Sequence, residues 1–221
     1  YTIVATNTTT GCTIAMNGNA VVGLYSLPLV DNVIGGGDYC IGGTGRHIGL
    51  DGSDVGNYYQ LMNGIVPVGT PMVGTGASLD FGLQTAAGTY TIKGTNTSTT
   101  CWNTMAGSAT VVINALPATY TVTGGGNYCA GGLGMDVSIS GSDIGINYQL
   151  YLGGVAVGSA VAGIGSALDF GLQTAAGVYT ATATNAITGC TSNMTGSVTV
   201  SINPLPLQYT VTGGGSLCAG G

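Results

Sequence analysis

Charge is the scarcest commodity in this sequence. Of 221 residues only two are basic, Arg46 and Lys93, and eight are acidic. All eight acids are Asp; Glu is absent. A net charge of −6 on so few groups excludes nucleic acid as a partner, which calls for Lys and Arg clustered on one face. It equally excludes a polybasic membrane contact. Without Glu there is no Glu pair for general acid–base work, and a single histidine, His47, leaves no repeated Ser–His–Asp set and no His-rich metal site. Long apolar runs are missing too. The uncharged apolar stretch Gly153–Leu168 is shorter than the roughly 20 apolar residues a spanning helix needs. Its counterpart at Asn63–Leu79 carries two prolines, so both read as hairpins. No segment shows sustained helical spacing.

What fills the space is glycine, 42 residues of it, with Thr, Ser and Asn, residues of turns and strand surfaces. They are arranged in repeats. "FGLQTAAG" stands at Phe81–Gly88 and, letter for letter, at Phe170–Gly177. "YTVTGGGNYCAGG" at Tyr120–Gly132 returns as "YTVTGGGSLCAGG" at Tyr209–Gly221 and, more loosely, as "NVIGGGDYCIGG" at Asn32–Gly43. "GSDVGNYYQL" from Gly52 matches "GSDIGINYQL" from Gly141. The step is 89 residues, and the cysteines keep it in two series, Cys12/Cys101/Cys190 and Cys40/Cys129/Cys218. A fixed period of this kind is the mark of a tandem array. It divides the chain into the C-terminal part of a first repeat (1–30), two complete repeats (31–119 and 120–208) and the start of a fourth (209–221), a segment expected to belong to something longer.

Each complete repeat reads as a β-sandwich. "YTATATN" from Tyr179 alternates strictly, with Tyr179, Ala181 and Ala183 on one face. "SVTVSIN" from Ser197 puts Val198, Val200 and Ile202 inward, and "MDVSIS" groups Met135, Val137 and Ile139. Period two over five to seven residues denotes a half-buried strand. Seven strands are predicted, at about 121–124, 135–140, 146–152, 155–159, 167–171, 178–185 and 193–203. That count in about 90 residues is the pattern of an immunoglobulin-like sandwich. The fold class is therefore all-β, tandem immunoglobulin-like sandwiches in a rod-like array. A Tyr just after a small-residue turn, Tyr90 and Tyr179 (with Tyr1 in the partial first unit), fits a tyrosine corner. Tyr59 and Tyr148 take the place of the large aromatic on the third strand. Trp102 aligns with Thr191 and reads as a local surface packer. Proline-containing segments near 28, 117 and 204–206 read as short, stiff junctions.

Six cysteines at regular spacing, with no Cys-x-x-Cys, point to structural disulfides in an oxidising compartment. Connectivity stays open. Pairs within a unit, Cys40–Cys101 and Cys129–Cys190, would leave Cys12 and Cys218 to partners outside; neighbouring pairs, Cys12–Cys40, Cys101–Cys129 and Cys190–Cys218, would use all six. The within-unit scheme closes loops of about 60 residues, a stabilisation of roughly 4 kcal/mol in the chain-entropy model. Its weakness is that the turns concerned lie at opposite poles of a plain sandwich. The repeated carboxylates Asp54/Asp143 and Asp80/Asp169 are weak calcium candidates, with Asx-type turn bonding the blander alternative. The "TGGG" segments lack the Lys and the helix of a phosphate loop. Asn7, Asn96 and Asn193 stand in sequon triplets at chance level. No catalytic residue and no cofactor is expected.

The combination of Tyr128-Cys129-Ala-Gly-Gly, the Ala-Gly-x-Tyr-Thr turns, Gly189-Cys190 and Asn-Pro-Leu-Pro resembles the tandem immunoglobulin-like repeats of giant Bacteroidota cell-surface adhesins, of the SprB gliding-motility type carried by type IX secretion. The resemblance covers essentially the whole chain. It implies a non-catalytic stalk or filament on the bacterial surface that holds an adhesive tip away from the cell. It further implies partners among neighbouring repeats, lateral self-association into filaments, and outer-membrane motility or secretion machinery reached through other parts of the protein. The competing readings are a glycan-binding module and the accessory domains of a secreted enzyme.

Overall fold

The computed structural model describes residues 1–219. They form two compact units, one spanning Tyr1–Ile113 and the other running from Asn114 onward. The first begins with a small hairpin, β1 (Val4–Thr6) against β2 (Thr13–Ala15). Then come β3 (Val33–Gly35), β4 (Gly37–Cys40), β5 (Arg46–Leu50), β6 (Asn57–Asn63), β7 (Val66–Val73), β8 (Leu79–Gln84), β9 (Gly88–Asn96), β10 (Trp102–Thr104) and β11 (Ala109–Asn114). The second unit repeats that series as β12 (Val122–Gly124), β13 (Gly126–Cys129), β14 (Met135–Ile139), β15 (Ile146–Leu152), β16 (Val155–Ala162), β17 (Leu168–Gln173), β18 (Gly177–Asn185), β19 (Thr191–Asn193) and β20 (Val198–Asn203).

In the second unit a three-stranded sheet, β12-β14-β17, faces a larger one ordered β13-β20-β18-β15-β16, with β19 on β18. The first unit has the same two sheets, β3-β5-β8 and β4-β11-β9-β6-β7, with β10 on β9. This is an immunoglobulin-like sandwich. In the second unit every ladder is antiparallel except β13 on β20, which is parallel.

That parallel strand is where the sequence reading fell short. One strand was expected at 121–124; the chain instead runs through β12 in one sheet, turns at Gly124–Gly126 and continues as β13 in the other. The three glycines have φ of +93°, +71° and +124°. A Cβ on Gly125 would lie 2.8 Å from the Thr199 carbonyl oxygen, so the crossing has room only for backbone. The "TGGG" motif is thus a sheet-switching kink. Gly153–Leu168 forms the turn, β16 and the connection into β17, with β16 three residues longer than expected. The expected last strand, 193–203, is split into β19 and β20 by a break at Met194–Ser197.

The inward faces follow the alternation. Tyr179, Ala181 and Ala183 are fully buried, as are Val137 and Ile139. Val200 is buried but Ile202 is 43 % exposed, because β20 runs on past the core beside β13, where Tyr128 faces Ile202. The two cores exchange bulk between equivalent positions. Ile92 with Gly94 and Ala109 in one becomes Ala181 with Ala183 and Val198 in the other. Cores tolerate such volume-conserving changes well.

Candidate functional site

The duplicated motifs converge on turns and strand crossings, where their side chains bind backbone of the same sandwich. Tyr59 and Tyr148, each fully buried, accept the N–H of Asp54 (2.8 Å) and Asp143 (2.9 Å) on their hydroxyl oxygens. In "GSD", Ser53 Oγ donates to the Ala77 carbonyl (2.5 Å) and accepts from Thr75 N–H (3.1 Å). Ser142 Oγ does the same with Ser166 (2.6 Å) and Ile164 (3.0 Å). Gln60 and Gln149 sit at a β-bulge in the β6–β7 and β15–β16 ladders. Each donates from Nε2 to two carbonyls at 2.9 Å, Leu61 and Val68 in one unit, Leu150 and Val157 in the other.

"LDFGLQTAAGxY" works as one device. Asp80 Oδ1 accepts Gly82 N–H (2.8 Å) and Asp169 Oδ1 accepts Gly171 N–H (2.6 Å), an Asx turn over a glycine at φ +76°. Gln84 and Gln173 donate back to the carbonyls of Phe81 (2.9 Å) and Phe170 (3.0 Å). The Tyr90 hydroxyl donates to the Ala86 carbonyl and Tyr179 to Ala175, both at 2.8 Å. Tyr39 and Tyr128, from the "YC" motif, donate to the carbonyl one residue earlier, Thr85 (2.6 Å) and Thr174. Sequence reasoning missed Tyr39 and Tyr128. Their place beside Cys40 and Cys129 was visible, but their target lies 46 residues away.

The carboxylates differ between repeats. Asp80 pairs with His47, whose Nδ1 lies 2.8 Å from Oδ2. That bond first, then the Gly82 N–H, holds the Asp80 carboxyl below the usual range. Asp136 stands at the position of His47. Ser138 Oγ donates to Asp136 Oδ2 (2.9 Å) and reaches Asp169 Oδ1 at 3.5 Å. The Gly171 N–H is the main cause holding Asp169 low. Asp143 Oδ1 accepts the Tyr120 hydroxyl at 2.7 Å, which pushes that phenol up to about 12. The equivalent of Tyr120 is Asp31, in the neighbourhood of Asp51 and Asp54. Its Oδ2 is buried without a hydrogen-bond partner, and burial, followed by repulsion from Asp54 and Asp51, raises its pKa. Among the described residues no group of three or more His, Cys, Asp or Glu is placed to hold a metal ion. Asp54, Asp143, Asp80 and Asp169 are each engaged with protein groups.

Trp102 is 54 % exposed on β10, with Lys93 Nζ 4.4 Å from its ring centroid, a pairing present in one repeat only. Asn7, Asn96 and Asn185 each accept two N–H groups of the following turn on Oδ1.

The cysteine scheme needs correction. Cys40 and Cys190 are disulfide-bonded, whereas Cys12, Cys101, Cys129 and Cys218 carry free thiols. The within-unit pairs Cys40–Cys101 and Cys129–Cys190 therefore do not form, and neither do the neighbouring pairs. Strand register explains the first failure. Cys129 lies opposite Asn203, at the trailing end of β20, and Thr191 lies opposite Thr184, near the far end of β18. From Asn185, hydrogen-bonded to Cys190, to Gly177 is eight steps along β18; from Val200, opposite Gly177, to Asn203 is three more. That is roughly 35 Å at ~3.3 Å per residue, against the ~4.4–6.8 Å between Cα atoms that a disulfide allows. The oxidised pair of residues fits a secreted or extracellular setting.

No protein-family profile matches the chain, and no curated protein matches it by sequence. Among solved structures it is similar to murine CEACAM1b (14 % identity, 75 % of this chain and 96 % of that one, TM-score 0.39). Fibronectin(III)-like modules of Clostridium thermocellum CbhA show 12 % identity over 82 % of this chain and 100 % of that one, TM-score 0.42. The I9–I11 tandem of titin shows 11 % identity over 81 % of this chain and 63 % of that one, TM-score 0.29. At such scores the fold rests on the strand order and registers described above.

Proposed function

We propose that this chain is a non-catalytic spacer, a stalk segment of an extracellular adhesin that holds a distal adhesive tip away from a bacterial surface for gliding or attachment. One observation carries the reading. The side chains that the two complete repeats hold in common, Tyr59/Tyr148, Ser53/Ser142, Gln60/Gln149, Gln84/Gln173 and Tyr90/Tyr179, all bind backbone within their own sandwich. A side chain bound in this way maintains shape and leaves no free group to recognise a ligand. On this reading the partners are neighbouring repeats of the same chain, laterally associated filaments and, through other parts of the protein, outer-membrane motility or secretion machinery.

A glycan array probed with the 221-residue chain, with and without 5 mM calcium, tests the reading. A spacer gives no saturable binding, and chelator leaves its melting temperature within about 2 °C. Saturable glycan binding lost in Trp102→Ala would replace the spacer with a binding module. A large drop on chelation would place calcium at the Asp54/Asp143 or Asp80/Asp169 turns.

A further inference from the structure

Each complete repeat carries one cysteine at each pole. Cys101 and Cys190 follow the turn at the leading pole, the pole where the chain comes in: Asn103 Nδ2 donates to the Pro28 carbonyl (3.2 Å) and Ser192 Oγ to Pro117 (2.8 Å). Cys40 and Cys129 end β4 and β13 at the trailing pole, beside β11 and β20 just before the chain leaves. The length of the sheet keeps the two cysteines of one repeat apart. The two oxidised cysteines are one of each kind, Cys40 from a trailing pole and Cys190 from a leading one. Their counterparts in the other repeat, Cys129 and Cys101, are free; Cys129 is exposed and Cys101 half-buried.

We propose that Cys129 and Cys101 are cross-linking positions for a further copy of this repeat, with the trailing-pole thiol of one copy bonding the leading-pole thiol of the next. The inference deepens the spacer reading, since it makes each junction of an array covalently closed by a bond that no repeat can form alone. It follows from two independent observations: the register that forbids pairing within a repeat, and the oxidised state of the equivalent residues Cys40 and Cys190. The chemistry is thiol–disulfide exchange with a disulfide donor such as oxidised glutathione. The Cys101 thiolate takes one half of the donor and releases the other as a thiol. The Cys129 thiolate then attacks the Cys101 sulfur of that mixed disulfide and expels the second glutathione thiolate. Two protein thiols become one disulfide and one donor disulfide becomes two thiols, so electrons balance. A leading-to-trailing contact is heterologous and extends without closing, which suits a filament.

Two arms separate the source of the copy. In the first, the chain is incubated in a glutathione redox buffer as an equimolar mixture of ¹⁴N- and ¹⁵N-labelled protein, then digested with chymotrypsin without reduction. A ladder of disulfide-linked oligomers is expected, with mixed-isotope Cys129–Cys101 peptides. Cys129→Ser should remove that ladder, while Cys12→Ser with Cys218→Ser should leave it. In the second arm, residues 120–208 are repeated once after Gln208. Here Cys129 should bond the second copy's equivalent of Cys190 within one chain, and the free-thiol count should equal that of the same chain carrying Cys129→Ser with that equivalent cysteine changed to Ser, whereas two unbonded thiols would put it two higher. Cys129 remaining a free thiol or a glutathione adduct in both arms would overturn the proposal. So would Cys129 bonded to another Cys129. Glycan binding plays no part in either readout, so the spacer reading and this inference can fail separately.

Discussion

Ser142 offers the sharpest test of how these sandwiches are held. Its side chain is 2 % exposed and bridges two backbone groups of the loop before β17, donating to the Ser166 carbonyl at 2.6 Å and accepting from Ile164 N–H at 3.0 Å. Ser142→Ala removes both bonds and leaves a carbonyl and an N–H unpaired. A hydrogen bond contributes about 1 kcal/mol net, and an unmet buried group costs about 1–3 kcal/mol, so the loss should be about 2–3 kcal/mol. For a unit of this size each kcal/mol moves the melting temperature by about 4–8 °C, which gives a fall of about 8–24 °C. Scanning calorimetry measures the fall, and hydrogen exchange read peptide by peptide assigns it to a unit. The loss belongs to the second unit; Ser53→Ala should reproduce it in the first, where Ser53 bridges Ala77 and Thr75. Ser138→Ala, whose hydroxyl bonds exposed carboxylates, should stay within about 0.5 kcal/mol. A fall of less than about 3 °C for Ser142→Ala, or an equal effect on both units, would refute the role assigned to "GSD".

Two pH effects follow from a position where the repeats differ, Asp31 in one and Tyr120 in the other. Asp31 has a raised pKa in the folded state, so its contribution to stability is present below the unfolded value of 3.8 and is lost as pH rises through the folded value. Asp31→Asn should therefore stabilise the first unit at pH 7 by about 1 kcal/mol and flatten its acid-to-neutral profile; a lower melting temperature at pH 7 would contradict this. Tyr120 also has a raised pKa, about 12 in the folded state, so its bond to Asp143 contributes fully below pH 10 and is lost as pH rises through about 12. Burial also raises Tyr90, Tyr148 and Tyr179, so alkaline titration followed by phenolate absorbance should show several late-titrating tyrosines, one fewer in Tyr120→Phe. An unchanged titration curve would sink that assignment.

Period-two alternation and turn chemistry are local properties, so the sequence by itself determined where most strands lie and most of their buried faces. Tyr179, Ala181 and Ala183 on one side of β18, and the glycine-rich breaks between strands, were legible because each depends on residues two to four positions apart. Tyr59 and Tyr148 were legible as core aromatics for the same reason. The tertiary structure decided everything that depends on which strand lies beside which. The switch of β12 into β13 through Gly124–Gly126 follows from a parallel partner more than 70 residues away. The exposure of Ile202 follows from how far β20 outruns its neighbours, although its alternation matches that of Val200. Spacing along the chain likewise made Cys129 and Cys190 look like partners. Only the register of β18 and β20 put the length of the sheet between them, because a covalent bond of fixed reach responds to distance in space and the sequence records distance along the chain.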